Sequence, residues 1–147
     1  MKKFFIKLLF LFPILLAVGF FNRLMNSGDQ EQKIAQTLLE GKSAVLDGDL
    51  LSVRDRFVKK YYIEGLTYKD DIIVLGSSRA MEVRGSFFPE HTFFNCGVAG
   101  ASLEDYLIYY WMYRKKGLIP SVVILGIDPW IFNAKNEQNR YKDLAQE

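Results

Sequence analysis

The chain has 147 residues, half of them hydrophobic and 15% aromatic, with 19 basic and 17 acidic side chains and a formal net charge of +2. That length sets a prior of one domain, and the composition is too apolar for a disordered chain. A charge so near balance gives no electrostatic case for nucleic acid, which needs a clustered basic face. One cysteine, Cys96, and one histidine, His91, exclude an internal disulfide framework, a cysteine-based metal site and a histidine-rich one.

The amino terminus reads as a membrane signal. Met1-Lys2-Lys3 is basic, and the 18 residues from Phe4 to Phe21 are apolar apart from Lys7. A helix of that length rises about 27 Å, close to the roughly 30 Å core of a bilayer. Lys7, near the basic end, can snorkel to the headgroups, and Pro13 is tolerated in a lipid-embedded helix. A cleaved secretory peptide is the alternative, because the 14 residues Leu8 to Phe21 also suit its apolar region. Phe20-Phe21-Asn22-Arg23 offers no small-x-small cleavage site, and no cysteine follows to carry a lipid. The expectation is a signal anchor over residues 1–22. The positive-inside rule then leaves the rest of the chain on the extracytoplasmic side of a plasma or inner membrane. A buried core helix is a further reading, but few core helices are apolar on every face.

Residues 23–66 read as a helical stalk or linker. A helix is expected from Asp29 to Leu46, with Ile34, Leu38, Leu39 and Val45 on one side and Gly41 weakening it. Ser52-Val53-Arg54-Asp55 resembles a capping box. It would start a helix running to about Ile63, with Val53, Phe57, Lys60 and Tyr61 near one face.

Residues 67–147 carry the α/β pattern. Asp71–Leu75 is a continuous apolar run, which suits a strand buried on both faces of a parallel sheet. Gly76 stops it, and Ser78 to Val83 reads as a helical turn. A second, shorter strand is Thr92–Asn95. Ser102 caps the next helix, with Glu104 and Asp105 in its first turn, Arg114, Lys115 and Lys116 in its last, Gly117 just beyond and Pro120 after that. Spacing places Leu103, Tyr106, Leu107, Tyr110 and Trp111 on the core side and points Tyr109 and Tyr113 elsewhere. A carbohydrate-stacking platform is the functional reading of these aromatics, and core packing is the plainer one. A third strand, Val122–Leu125, ends at Gly126 and closes a βαβ unit whose crossover should be right-handed. The polar stretch Asn133–Glu147 adds no further element, and three strands make a small sheet. The fold is therefore expected to be incomplete in this chain.

Three glycine-bearing turns follow the three strands: Gly76-Ser77-Ser78, Asn95-Cys96-Gly97-Val98-Ala99-Gly100 and Gly126-Ile127-Asp128-Pro129. In an open α/β sheet the carboxyl ends of the strands share one edge, where ligands bind. A serine on a sharp strand-to-helix turn can present its hydroxyl beside N–H groups that would hold an oxyanion. Each turn also has a plain reading. Gly-Ser-Ser can be a strand stop and cap, Gly97 and Gly100 can permit a loop, and Asp128 can be a structural cap. His91 precedes the second strand, at the other edge, and reads as an exposed loop residue.

The order of these turns resembles the SGNH (GDSL-type) hydrolase superfamily. Asp71-Ile-Ile-Val-Leu-Gly-Ser-Ser-Arg is similar to its first block, with Ser77 at the acidic position and Ser78 at the nucleophile position. Phe94-Asn-Cys-Gly-Val-Ala-Gly resembles the second block, placing Gly100 at the oxyanion-hole glycine. Val123-Ile-Leu-Gly-Ile-Asp resembles the third, with Asp128 where the family has an oxyanion-binding asparagine. The resemblance covers roughly residues 69–130. It implies a partial flavodoxin-like parallel sheet in a three-layer α/β/α domain. The implied activity is that of a serine esterase or O-acyltransferase, with no cofactor and no metal. The anchor is similar to that of envelope branches acting on acylated cell-surface glycan or acyl-carrier substrates. The family's Asp-x-x-His base has no counterpart here, and a carboxylate at residue 128 cannot donate to an oxyanion unless protonated. The chain as it stands is therefore expected to be weakly active or inactive. The alternative is a non-catalytic envelope protein that keeps this fold to hold envelope partners. A nucleotide-binding module is disfavoured, since neither glycine-rich phosphate motif is present.

Overall fold

The computed structural model describes residues 12–21, 29–41, 55–133, 135 and 139–145. The chain divides into two compact units, Met1–Gln30 and Glu31–Glu147. In the first, residues 12–21 are helical with exposed side chains. Among the described residues no helix is long and apolar enough to cross a membrane. The expected anchor also includes residues 1–11 and 22, which lie outside the described residues, as do residues 42–54 with Val45 and the Ser52 capping box.

The second unit is α/β. Its helices are α1 (Asp29–Leu39, of which residues 31–39 fall in this unit), α2 (Asp55–Gly65), α3 (Leu103–Lys115) and α4 (Lys142–Ala145), and its strands are β1 (Ile72–Leu75), β2 (Phe93–Asn95) and β3 (Val122–Leu125). All strand pairs are parallel, in the order β2–β1–β3. The central strand is buried at every position, as the unbroken Ile72-Ile73-Val74-Leu75 run requires. β3 lies at an edge, and Val122 and Leu125 remain about half exposed.

Side chains alternate across a sheet, which assigns its two faces. Ile73, Leu75 and Phe94 join a core built with Tyr62, Ile63, Tyr106, Tyr109 and Tyr113, so α2 and α3 cover that face. The opposite face carries Val74 beside Asn95. There the expected helical turn is a pair of 3-10 turns, Ala80–Glu82 and Gly85–Phe87. Asn95 ties that segment down, its Nδ2 donating to the Ala80 and Val83 carbonyls at 2.8 and 2.9 Å. Phe88 stacks on Phe93 with centroids 5.5 Å apart.

The stalk expected to end at residue 66 does not coincide with the division into units. Phe57, Val58, Tyr62 and Ile63 of α2 are buried, as is Ala35 of α1, so both helices belong to the body containing the sheet.

The buried face of α3 differs from expectation. Tyr106 is buried as expected, but its companions are Asp105, Tyr109 and Tyr113. Leu103, Leu107 and Trp111 are exposed, and Tyr110 is intermediate. The helix is apolar on both sides, so spacing alone could not choose between them. Polar partners decide. Tyr109 donates to the Arg56 carbonyl at 3.2 Å, Tyr113 to Asp70 at 2.6 Å and Tyr106 to the Gly126 carbonyl at 2.7 Å. A tyrosine buries its ring well when its hydroxyl meets an acceptor, and three do so here. Tyr109 is 1% exposed and Trp111 57%. Tyr109→Ala should therefore cost about 3–5 kcal/mol, while Trp111→Ala should fall within about 0.5 kcal/mol of wild type. Chemical denaturation of the full chain in detergent distinguishes them, and the reverse ranking would overturn this orientation.

Candidate functional site

Parallel strands bring their carboxyl ends to one edge. In the order β2–β1–β3 the chain's direction of growth reverses between β1 and β3, which is where open α/β sheets place ligands. The three turns abut at Gly76. The Val98 N–H donates to the Gly76 carbonyl at 3.0 Å, and the Gly126 N–H donates to the Leu75 carbonyl at 2.7 Å. A Cβ on Gly76 would run into the Ala80 side chain and lie 3.3 Å from the Gly126 Cα. Glycine at both positions is thus what lets the ends of β1 and β3 close on each other.

Ser77 and Asp128, 51 residues apart, meet across this closure. The Ser77 Oγ donates a hydrogen bond to Asp128 Oδ2, and both residues are buried. Asp128 Oδ1 faces Arg79 Nη1 at 3.4 Å. The Arg79 guanidinium also lies over the Trp130 ring, 5.0 Å from its centroid. Arg79 is largely exposed, so its ion pair contributes no more than about 1 kcal/mol. Ser78 stands differently. Its side chain is exposed, and neither its hydroxyl nor its N–H has a hydrogen-bond partner among the described residues.

The turn after β2 is held from α2. The Arg56 guanidinium bonds Asp105 through Nε at 2.9 Å and Nη2 at 3.0 Å, while Nη1 and Nη2 reach the Ala99 and Gly100 carbonyls at 3.2 and 3.3 Å. Asp55, at the start of the same helix, accepts the Ala99 N–H at 2.8 Å. Burial opposes the Arg56 charge, but the hydrogen bond and charge of Asp105 outweigh it and raise the guanidinium above its ordinary value. Gly100 has φ +58°, a left-handed backbone that costs other residues about 1–2 kcal/mol. Its N–H has no partner among the described residues.

Of the residues expected at the site, Asp128 thus meets Ser77, and the turn bearing Gly100 shares the Gly76 junction with the turn bearing Ser78. Ser77 was placed in its turn but not paired with Asp128, and Arg79, Trp130 and Arg56 are members that spacing did not single out. Only Arg79 carried a legible hint, as a charge directly after the Gly-Ser-Ser turn. Cys96, next to β2, is buried, which pushes its thiol up to about 12, and a neutral thiol is a poor nucleophile. His91 is exposed at the other edge, 4.0 Å from Asp71. Among the described residues no group of three His, Cys, Asp or Glu could hold a metal ion.

At that other edge Asp70 is buried beneath two phenols, accepting Tyr113 at 2.6 Å and Tyr62 at 3.3 Å. Burial raises its carboxyl above the ordinary 3.8 despite those hydrogen bonds. Searches of family models, of curated proteins and of solved structures give no match to this chain.

Two outcomes follow for stability. Arg56→Met leaves Asp105 buried without its cation and should cost about 3–5 kcal/mol, whereas the double variant Arg56→Met/Asp105→Leu should recover most of that loss. Equal instability of single and double variants in denaturant melts would refute the pairing. An acid with a raised folded pKa contributes most at low pH and loses that contribution as pH rises through the folded value. Relative to Asp70→Asn, the wild type should therefore lose stability as pH climbs from about 3.8. A pH-independent difference between the two would remove Asp70 as the cause.

Proposed function

We propose that this chain is a membrane-anchored, SGNH-like serine esterase or O-acyltransferase domain, on the extracytoplasmic side, acting on acylated envelope glycan or acyl-carrier substrates. The observation that carries this reading is the exposed Ser78 hydroxyl at the end of the central strand, beside the junction of all three turns. The sheet order β2–β1–β3 suits the first three strands of a flavodoxin-like 2-1-3-4-5 sheet, the arrangement the family resemblance implies. The 3-10 segment would stand in for the helical layer on one face. Residues 4–21 supply the anchor in this reading.

Ser78 Oγ adds to the acyl carbonyl, the leaving alcohol or carrier departs with the serine proton, and the N–H groups of Ser78 and Gly100, without a partner among the described residues, receive the oxyanion. Ser77 does not compete, because its hydroxyl is committed to Asp128. Asp128, accepting from Ser77 and facing Arg79, ties the ends of β1 and β3 together and donates nothing to an oxyanion. The only histidine, His91, sits at the wrong edge, and a serine without a base is a weak nucleophile. Activity of this chain alone is therefore slight. The second reading, a non-catalytic envelope protein that uses this edge to hold partners, is favoured by Asp128 standing where a donor is needed.

A fluorophosphonate probe on the full chain separates them. The catalytic reading expects slow labelling that Ser78→Ala abolishes and Ser77→Ala leaves on Ser78. Restoring a donor with Asp128→Asn should speed labelling, by up to roughly 100-fold. Labelling that survives Ser78→Ala removes Ser78 as nucleophile, and no labelling in any variant favours the partner-holding protein.

A further inference from the structure

The amino-terminal edge of the sheet carries an open cleft of about 580 Å³ whose lining includes Tyr62, Tyr68, Asp70, Thr92, Phe93 and Phe94. None of these takes part in the junction at Gly76. Two features of the cleft point to one kind of ligand.

The first is a charge without a counter-charge. Asp70 is 1% exposed, and its partners, the Tyr62 and Tyr113 hydroxyls, are neutral donors. No cationic side chain forms an ion pair with it among the described residues. The nearest basic residue in sequence, Lys69, is turned to Ser121 Oγ at 2.6 Å. Asp71 alongside adds a second negative charge, which works with burial to push the Asp70 proton affinity up. A buried carboxylate of this kind must take up a proton or acquire a cation.

The second feature is the wall. Tyr62 and Phe94 stack face to face, centroids 3.5 Å apart and planes 6° from parallel, while Tyr68 stands 43% exposed beside them. Aromatic faces attract cations, and most strongly where water is excluded. This ring system already draws one from the chain itself, the Lys59 ammonium lying 4.9 Å from the Phe94 centroid. A metal ion is the poorer candidate. Hard divalent cations need several oxygen ligands at once, and no cluster of three acidic, cysteine or histidine side chains exists among the described residues.

We propose that the cleft beside Asp70 is a binding site for a small organic ammonium, its charge set against the Asp70 carboxylate and its alkyl groups against Tyr62, Tyr68 and Phe93. The site lies at the opposite end of the strands from Ser78 and does not rest on the esterase reading.

The test is a titration of the full chain in detergent with tetramethylammonium chloride at constant ionic strength, followed by saturation-transfer NMR on the probe's methyl protons. Neutral tert-butanol serves as the uncharged isostere. Saturable binding of tetramethylammonium and none of tert-butanol is expected. Asp70→Asn, which keeps one acceptor oxygen for a phenol and turns the other position into an amide donor, should weaken binding at least roughly tenfold. If Asp70→Asn loses its near-ultraviolet dichroism, the decision passes to Tyr68→Ala, whose exposed ring can be removed without opening the core and whose loss should also weaken binding. Absence of saturation in the wild type, equal binding of tert-butanol, or a folded variant that binds as tightly as wild type each overturns the proposal.

Discussion

The bidentate pair between Arg56 and Asp105 fixes more of this structure than any other contact. It joins α2 to the first turn of α3, and through the Ala99 and Gly100 carbonyls it also sets the peptide planes of the turn after β2. Asp105 works on both sides of this junction, since its Oδ2 also accepts the Ser102 N–H at 2.9 Å as the third residue of a capping box. A buried pair of this kind adds little net stability over an apolar replacement, yet removing one member is severe. Its value here is geometric. A residue 44 positions before Gly100 holds the peptide plane that carries the Gly100 N–H, so the turn after β2 is set by the helix that precedes the sheet.

That dependence explains which features were legible in the sequence. β1 and β3 announce themselves as unbroken apolar runs stopped by glycine, and α3 by its cap, first-turn acids and terminal Gly117. These signals are local, so they survive without knowledge of tertiary partners. The seating of α3 was not legible, because apolar side chains line both of its sides. The choice between Tyr109 and Trp111 falls to hydroxyl acceptors contributed by α2 and by Asp70, none of which spacing within α3 can see. The same holds for α2 itself. Read alone, Asp55–Gly65 is an amphipathic linker, and the burial of Phe57, Val58, Tyr62 and Ile63, with Tyr62 stacked on Phe94, makes it core.

At the carboxyl edge the three turns were legible as a group, and their abutment at Gly76 follows from parallel pairing plus glycine at both 76 and 126. Their internal chemistry was not. The resemblance set Ser77 at an acidic position and Asp128 at an amide position, which left both without an obvious partner. In the folded chain each supplies what the other lacks. The hydroxyl donates and the carboxylate accepts, so the turns after β1 and β3 are joined by a pair that neither turn shows on its own. The exposed Arg79 then faces the remaining carboxylate oxygen, and its planar guanidinium lies over Trp130, a contact that suits a delocalised cation.

The two ends of the strands consequently treat charge in opposite ways. At the carboxyl end Asp128 has a hydroxyl donor and a guanidinium, and the serine without a partner among the described residues is the neutral, exposed Ser78. At the amino end Asp70 has, among the described residues, two phenols, which supply hydrogen bonds but no compensating charge. Low local polarity magnifies both conditions, because the same burial that strengthens a satisfied pair raises the cost of an unsatisfied one. A surface carboxylate would resolve this through water, but Asp70 is buried beneath Tyr62 and Tyr113 and lines the cleft. The amino edge is thus where the fold is electrostatically unfinished, and the carboxyl edge is where its unused hydrogen-bonding capacity lies.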